Sequence, residues 1–189
     1  MERIREWLML KLNNKVIISH LDWQKGCPGI IPGLKAKPWW DVEEFPWIKT
    51  MEDNKGAILE ELLSLKEEGR FQPYRAPTGT YDKKAEDGVG SEGTDKGKWN
   101  VFYLYLHDMP FQDNIAKCPK TNELITSVIP RHYHHAFFSA MITDTHIPKH
   151  YGPTNKKLRF HLPLIGVEGS RLRVADETRE LKLGKVRLV

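Results

Sequence analysis

The second half of the chain alternates short segments of strand-like composition with turn residues. The most distinct segment is 99–106 (WNVFYLYL), which is rich in aromatic and β-branched residues. A short helix is predicted over 121–129, ended by Pro130. Further strands are predicted over 136–142, 155–165, 171–174, 179–183 and 185–189. Strands of this length without helices between them favour an antiparallel sandwich or barrel.

The first half of the chain predicts helix and loop. Residues 46–68 carry an apolar stripe with helical spacing, and Gly69 is a suitable stop. Asp41 followed by Glu44 has capping-box spacing and predicts that a helical turn starts there. Residues 82–98 are nearly all charged or glycine, which predicts a solvated loop. We therefore expect an N-terminal extension of unclear structure over 1–26 and one mainly β domain with flanking helices over 27–189.

Composition excludes several classes of function. The chain has 189 residues, 40% hydrophobic and 29% charged, which is typical of one soluble globular domain. The net charge of +4 is spread along the chain, so no nucleic-acid partner is expected. No apolar run approaches the ~20 residues needed to cross a bilayer. The sequence does not identify the compartment, and a cytoplasmic location is taken as the default. Cys27 and Cys118 form no CxxC pair, and two buried thiols are favoured over a disulfide.

Alternation of side chains along strands predicts a polar pocket. In 158–164 (LRFHLPL) the apolar residues share one face, and Arg159 and His161 share the other. In 136–142, Ser139 and Met141 share a face. A barrel interior lined by Arg, His and Ser would bind a carboxylate or phosphate, which arginine grips through two hydrogen bonds. The alternative is that this face is simply exposed on a half-buried sheet, and the pattern alone does not decide between them.

Histidine is crowded toward the same region, with five of the eight between residues 132 and 150. Imidazole is a common ligand of transition metals, so the crowding indicates a metal site. His132, His134 and His135 stand in a Pro-flanked segment, and a surface loop accounts for them. His146 and His150 are four residues apart, but the proline between them excludes a helical pair of ligands. One of these two is expected to face the pocket, and the spacing does not say which.

The order of these motifs closely resembles the aspartyl/asparaginyl β-hydroxylase family. The resemblance rests on 137–141 (FFSAM), 145–155 (THIPKHYGPTN) and 158–162 (LRFHL). It extends to 32–40, 97–99, 118–121, 171–174 and 184–186, and covers roughly residues 27–189. It implies a double-stranded β-helix (jelly roll) that uses Fe(II), 2-oxoglutarate and O2. The implied reaction is hydroxylation of the β-carbon of Asp or Asn in a peptide or protein.

The resemblance also implies roles for individual residues. His150 would be the catalytic iron ligand, while Trp99, Ser139, Arg159 and His161 would hold 2-oxoglutarate, with Met141 lining the pocket. Lys157 would face the substrate where relatives carry arginine, which keeps the charge but loses the bidentate grip. Gly152 stands where most 2-oxoglutarate oxygenases place a carboxylate ligand. The family shares this feature and manages with two histidines and water.

The resemblance places the family's second iron-binding histidine, and a further arginine for 2-oxoglutarate, beyond Val189. We therefore expect the sequence to be a fragment, a partial gene model or a natural truncation that lacks the last strand or strands. Iron affinity with one protein ligand should be poor. The alternative function is a non-catalytic jelly-roll module that binds a carboxylate or an acidic peptide through Arg159, His161 and Ser139.

Overall fold

The structure, a computed structural model, describes residues 2–13, 15, 17, 19, 21–24, 27, 29–76, 85, 88, 90–130 and 135–189. The chain divides into two units, one formed by Met1–Ile48 with His150–Val189 and the other by Lys49–Lys149. Within the described residues the α-helices are α1 (Glu2–Leu12), α2 (Trp47–Asp53), α3 (Lys55–Glu67), α4 (Gln112–Lys117) and α5 (Pro119–Val128).

The strands of the same described residues are short apart from two. They are β1 (Gln72–Pro73), β2 (Arg75–Ala76), β3 (Ser91–Glu92), β4 (Trp99–Leu106), β5 (Met109–Pro110), β6 (His135–Met141), β7 (Phe160–His161), β8 (Arg171–Val174), β9 (Glu177–Glu180) and β10 (Arg187–Leu188). The pairs between them are antiparallel. The predicted antiparallel sheets and flanking helices are confirmed, but the described residues form a mixed α/β structure and not a mainly β one, because the first half and the 112–128 segment are helical.

Strand β4 is the centre of the Lys49–Lys149 unit. It pairs with β1, β5 and β6, and its residues from Val101 to Tyr105 are buried. The β4–β6 ladder runs from Trp99 opposite Met141 to Leu106 opposite His135, with a bulge at Tyr103 and Tyr105. A strand buried on both faces needs an unbroken run of apolar and aromatic residues, which is what 99–106 supplies.

A two-residue turn, His107–Asp108, joins β4 to β5. Both residues have positive φ angles, 52° and 65°. A two-residue hairpin loop with positive φ at both positions is a type I′ turn, whose twist matches that of the flanking strands. The sequence does not predict this turn because it contains neither Asn-Gly nor Asp-Gly.

Helices α3 and α5 pack together in the same unit. The sequence predicts an apolar stripe of Ile58, Leu59, Leu62, Leu63 and Leu65. Helix α3 buries Ile58, Leu62 and Leu65, whereas Leu59 is half-buried and Leu63 is 41% exposed. The helix predicted over 46–68 is in fact two, α2 and α3, separated at Asn54, and Gly69 follows with a φ of 64°. Helix α5 starts two residues earlier than predicted, because Pro119 occupies its first position, where the missing N–H is no loss.

The other unit has its core around β7 and β10. Leu188 lies opposite Phe160, and a hydrogen-bonded pair between Arg159 and Val189 extends the ladder by one residue. Ile48, Val186 and Leu188 form the buried cluster, and partly buried apolar side chains pack against it: Trp40, Val42, Phe45, Trp47, Phe160 and Leu162. Asp41 accepts a hydrogen bond from the Glu43 N–H at 3.1 Å at the start of a 3-10 turn, as its capping-box spacing predicts.

Several sequence predictions need correction. The strand predicted over 155–165 is reduced to Phe160–His161, because Asn155 is used in a loop contact and Pro163 has no N–H for a ladder. Leu158 is 44% exposed and does not share the buried face of Phe160. Strands β4 and β8 match their predicted bounds, and the remaining predicted strands are shifted or shortened by a few residues.

The segments predicted as loops also differ. In 82–98, the described Ser91 and Thr94 are buried, so that segment is not wholly solvated. His135 begins β6, whereas His132 and His134, predicted in a surface loop, lie outside the described residues. Helix α1 is not predicted because its sequence has no clear apolar period, and none of its residues is buried.

Two sequence expectations concern single residues and membranes. Cys27 and Cys118 are both buried free thiols, as predicted. Burial, with a smaller contribution from the charge of Glu61, raises the pKa of Cys118 to about 12, so its thiol stays protonated. Among the described helices, none is both long and apolar enough to span a bilayer.

Candidate functional site

Trp99 and Ser139 are joined by a direct hydrogen bond in the Lys49–Lys149 unit. The indole Nε1–H of Trp99 donates to Ser139 Oγ at 2.8 Å. The two residues lie on neighbouring strands, because Trp99 starts β4 opposite Met141 and Ser139 lies two residues earlier on β6. Ser139 is exposed and Met141 is 50% exposed. The ladder therefore brings together three predicted site residues.

Stacking fixes the plane of the Trp99 ring. Tyr74 stacks on it with a centroid separation of 3.7 Å and an interplanar angle of 17°. Gly93 lies directly against both rings. A Cβ at this position would lie 2.7 Å from both the Trp99 and the Tyr74 ring. Sequence analysis missed Tyr74 and Gly93, and no local pattern marks them as neighbours of Trp99.

Arg159 and His161 project from the same face of the β7 segment in the other unit. Arg159 is exposed and His161 is half-buried, so this face is partly open to solvent. Burial, with the positive charge of Arg159 as a smaller cause, lowers the pKa of His161 from 6.5 to about 4. At neutral pH the pair thus offers one permanent positive charge and one uncharged imidazole.

Arg187 is the strand neighbour of His161, but its guanidinium is directed to β9. It lies directly opposite His161 in the β7–β10 ladder, and opposed residues of an antiparallel pair project to the same side. Its Nε and Nη2 donate to the Glu180 carbonyl oxygen at 3.3 and 3.1 Å. The sequence predicts a strand at 185–189 but not which strand it pairs with, so Arg187 was missed.

The segment that follows His150 is anchored by its own side chains. Thr154 Oγ1 donates to the Gly29 carbonyl at 2.8 Å, and the Asn155 amide exchanges two hydrogen bonds with the Ile31 backbone, at 2.9 and 3.1 Å. A Cβ on Gly29 would lie 2.6 Å from the Pro153 carbonyl oxygen. The Thr and Asn of the GPTN sequence therefore have a structural role.

The two candidate histidines differ in their surroundings. His150 is exposed in a segment without regular secondary structure, and Lys157 is half-buried just before β7. His146 pairs through Nδ1 with Asp95 Oδ1 at 2.7 Å, and this hydrogen bond is the main reason that the pKa of Asp95 is lowered. The pairing of His146 fits a structural role for it.

The described residues do not contain a complete protein site for iron. No group of three or more His, Cys, Asp or Glu side chains in this part of the chain is arranged to hold a metal ion. The predicted ligand, His150, is a single donor, and one imidazole does not define a coordination geometry. We therefore derive no chemical step through iron from these residues.

Comparison with known proteins finds a matching family model and several relatives that are named as hydroxylases. The family model described as Aspartyl/Asparaginyl beta-hydroxylase matches residues 52–189. The proteins named Aspartyl/asparaginyl beta-hydroxylase from Mus musculus and Homo sapiens are each 32% identical, over 173 and 175 residues, which is 87% of this chain. The Ornithine lipid ester-linked acyl 2-hydroxylase of Rhizobium tropici is 31% identical over 132 residues, 70% of this chain and 43% of that protein. The chain spans only 21% of the mouse and human relatives.

Proposed function

Because this chain belongs to the aspartyl/asparaginyl β-hydroxylase family, we propose that it is a 2-oxoglutarate-dependent dioxygenase. Its proposed substrate is a peptide or protein, hydroxylated at the β-carbon of Asp or Asn. The mouse and human relatives named for this reaction match more of the chain than the bacterial lipid hydroxylase does, which favours a peptide substrate. The proposed fold is the jelly roll, in keeping with the antiparallel pairs and short strands.

The observation that supports the proposal is the pairing of one positive charge, Arg159, with the neutral imidazole of His161 on the β7 segment. Such a pair suits a dicarboxylate, since Arg159 can make two parallel hydrogen bonds to one carboxylate. His161, held neutral by its lowered pKa, offers a ring nitrogen without the desolvation cost of a second buried charge. We assign Arg159 and His161 to 2-oxoglutarate on this basis.

The family resemblance also assigns Trp99 and Ser139 to 2-oxoglutarate, and their own geometry suits contact with a carboxylate. Because the indole N–H already donates to Ser139 Oγ, the hydroxyl hydrogen of Ser139 is directed away from the indole. It can then donate to a carboxylate oxygen, which is the role that the family resemblance assigns to it. Met141, half-exposed and opposite Trp99 in the ladder, is proposed to line the pocket.

Fe(II) and O2 enter the proposal through the family alone, with His150 as the ligand. When bound, iron would supply the oxygen-activating chemistry of the reaction. Lys157 is proposed to contact the substrate carboxylate, which it can attract as a point charge but not grip through two bonds.

The proposal is tested by incubating the full-length gene product with Fe(II), 2-oxoglutarate and a library of Asp- and Asn-containing peptides in air. We expect succinate and a peptide heavier by one oxygen atom. Arg159→Ala should abolish both products, whereas Arg171→Ala, an exposed arginine on β8, should leave them unchanged. A chain that leaves 2-oxoglutarate intact with every peptide contradicts the proposed activity.

A second function is compatible with Arg159 and the neutral His161, which need no metal ion to attract a carboxylate. In it, the chain binds a carboxylate or an acidic peptide through Arg159, His161 and Ser139 without catalysis. Calorimetry with 2-oxoglutarate and no added metal separates the two. Metal-independent binding that Arg159→Ala removes, together with no succinate under any condition, supports the binding module.

A further inference from the structure

Two histidine rings meet at the end of the β4–β6 ladder, remote in sequence from His150. His135 begins β6 opposite Leu106, and His107 follows Leu106 in the β4–β5 turn. The ring centroids are 4.7 Å apart with an interplanar angle of 77°. The closest ring nitrogens, Nδ1 of His107 and Nε2 of His135, are 3.4 Å apart.

This nitrogen separation suits a shared metal ion better than a hydrogen bond. Hydrogen bonds from N–H groups cluster near 2.9–3.0 Å, so 3.4 Å is long for one imidazole donating to the other. Two nitrogens on a tetrahedral Zn²⁺, with bonds of roughly 2.0–2.1 Å, lie about 3.3 Å apart. The two ring nitrogens therefore already have the separation of two ligands on one tetrahedral ion.

The backbone holds both histidines in place before any ion binds. His107 is the first residue of a type I′ turn with a φ of 52°, which leaves it little conformational freedom. His135 is fixed by its strand pairing with Leu106. Ligands fixed in advance lower the entropic cost of binding, so two donors on strand ends bind better than two on a flexible chain.

The exposure of the two histidines and the chemistry of imidazole indicate which class of ion can bind. His107 is exposed and His135 is half-exposed, so both side chains are in contact with solvent. Imidazole selects borderline transition metals, whereas Mg²⁺ and Ca²⁺ require oxygen ligands. We propose that His107 and His135 form a binding site for a divalent transition-metal ion of the Zn²⁺, Ni²⁺ or Cu²⁺ class, with water completing the coordination. This site is independent of the proposed hydroxylase function and shares no residue with it.

The test is calorimetric titration of the whole chain, first stripped of metal, with Zn²⁺ or Ni²⁺. We expect saturable binding of one ion at this site, and no heat with Mg²⁺. His107→Asn and His135→Asn should each remove that binding event, and asparagine at residue 107 tolerates the positive φ, so its turn is retained. His146→Asn is the matched control, since His146 is exposed in the same unit and pairs with Asp95. It should leave the titration unchanged.

Nitrogen-15 NMR of the imidazoles identifies the donor atoms. Zn²⁺ should shift Nδ1 of His107 and Nε2 of His135, and the same spectra show whether each variant remains folded. If the double variant His107→Asn/His135→Asn binds as many ions, as tightly, as the unsubstituted chain, the ion belongs to other histidines, such as His150, or His132 and His134 in the sequence. That result would overturn the proposal. Failure of the unsubstituted chain to bind Zn²⁺, Ni²⁺ or Cu²⁺ would also overturn it.

Discussion

At the residue scale, Trp99 is the predicted site residue with the most complete set of contacts. Its ring is stacked on Tyr74, and its N–H donates to Ser139. An indole held by both a stacking partner and a hydrogen bond keeps one orientation, which a co-substrate pocket requires. The indole–hydroxyl bond can be measured separately from any catalytic assay.

Ser139→Ala should lower the free energy of unfolding by at most about 1 kcal/mol, because the hydrogen bond is exposed and water can replace the lost acceptor of the indole N–H. In a Trp99→Phe background the same substitution should cost almost nothing. The coupling between the two substitutions, from a double-mutant cycle in urea, should therefore be about 0.5–1 kcal/mol. Ser64→Ala, at an exposed position on α3, is the control for removing a hydroxyl. Additive effects of the two substitutions would contradict the proposed coupling.

Sequence reasoning at this scale succeeded where neighbours are close along the chain. Alternation predicts that Arg159 and His161 share a face, and this agrees with the ladder that pairs Arg159 with Val189 and His161 with Arg187. Tyr74, Gly93 and Arg187 were missed because each meets its partner through long-range pairing, which leaves no local pattern. The roles of His150 and Lys157 stay predictions from the family resemblance.

At the scale of elements, Glu61 connects two helices. Its carboxylate, on α3, accepts hydrogen bonds from the Lys120 and Thr121 N–H groups at 2.7 and 2.9 Å, and from the Thr121 hydroxyl at 2.6 Å. These N–H groups belong to the first turn of α5, where backbone donors have no partner within the helix. Cys118, which precedes α5, makes no side-chain cap. Glu61 therefore substitutes for the missing N-cap and places a negative charge at the positive end of the helix dipole.

Glu61→Ala should lower the free energy of unfolding by about 2 kcal/mol, because it removes charged hydrogen bonds and leaves helix donors unpaired. Glu61→Gln, which keeps an acceptor but not the charge, should cost less. The measurement is urea unfolding at neutral pH. Glu60→Ala, at the exposed neighbouring position, is the matched control and should change stability by only a few tenths of a kcal/mol. Equal effects at residues 60 and 61 would exclude the capping role.

Gly97 controls how β4 begins. Its φ is 79°, and a Cβ at this position would lie 2.6 Å from the Thr145 Cα. Thr145 cannot move easily, because its Oγ1 accepts a hydrogen bond from the Lys98 N–H at 3.2 Å. The glycine of the G-K-W sequence is thus required by a close backbone approach directly before Trp99.

Gly97→Ala should lower the free energy of unfolding by about 3 kcal/mol, the sum of the left-handed backbone penalty and the steric clash. Gly56→Ala is a control for which a change in stability of the opposite sign is expected. Gly56 lies in the first turn of α3 with no atom within 4 Å of its would-be Cβ, so alanine should stabilise the chain by about 0.5 kcal/mol. Thermal unfolding of both variants is the measurement. A tolerated alanine at residue 97 would show that the close approach to Thr145 can relax.

At the scale of the whole molecule, the sequence predicts the class of fold better than its pairing. The long strand β4 and the apolar stripe of α3 are correct because each is recognisable within a few residues. The pairing of β7 with β10 and the type I′ turn at His107–Asp108 depend on three-dimensional context, and helix α1 has no apolar period to mark it. The family resemblance was necessary to go from a polar face to a co-substrate.

The stability of the whole chain should depend on pH through His161. Its pKa is about 4 in the folded state, against an ordinary value of 6.5 for histidine. Between these values the unfolded chain takes up a proton that the folded chain does not, so stability falls as the pH falls from about 6.5 toward 4. One proton corresponds to roughly 1.4 kcal/mol per pH unit.

Between pH 7 and pH 5, the unsubstituted chain should therefore lose about 2 kcal/mol more than His161→Asn does, measured by urea unfolding at both values. Carboxyl groups with lowered pKa values, Asp95, Glu44 and Glu68, contribute mainly below this window, because their ordinary values are 3.8 and 4.5. An NMR titration of the His161 ring gives the folded-state value directly. A midpoint near 6.5, or an equal pH dependence of the two chains, would mean that His161 is protonated as readily as a solvated histidine. Its proposed role as a neutral partner of Arg159 would then be wrong.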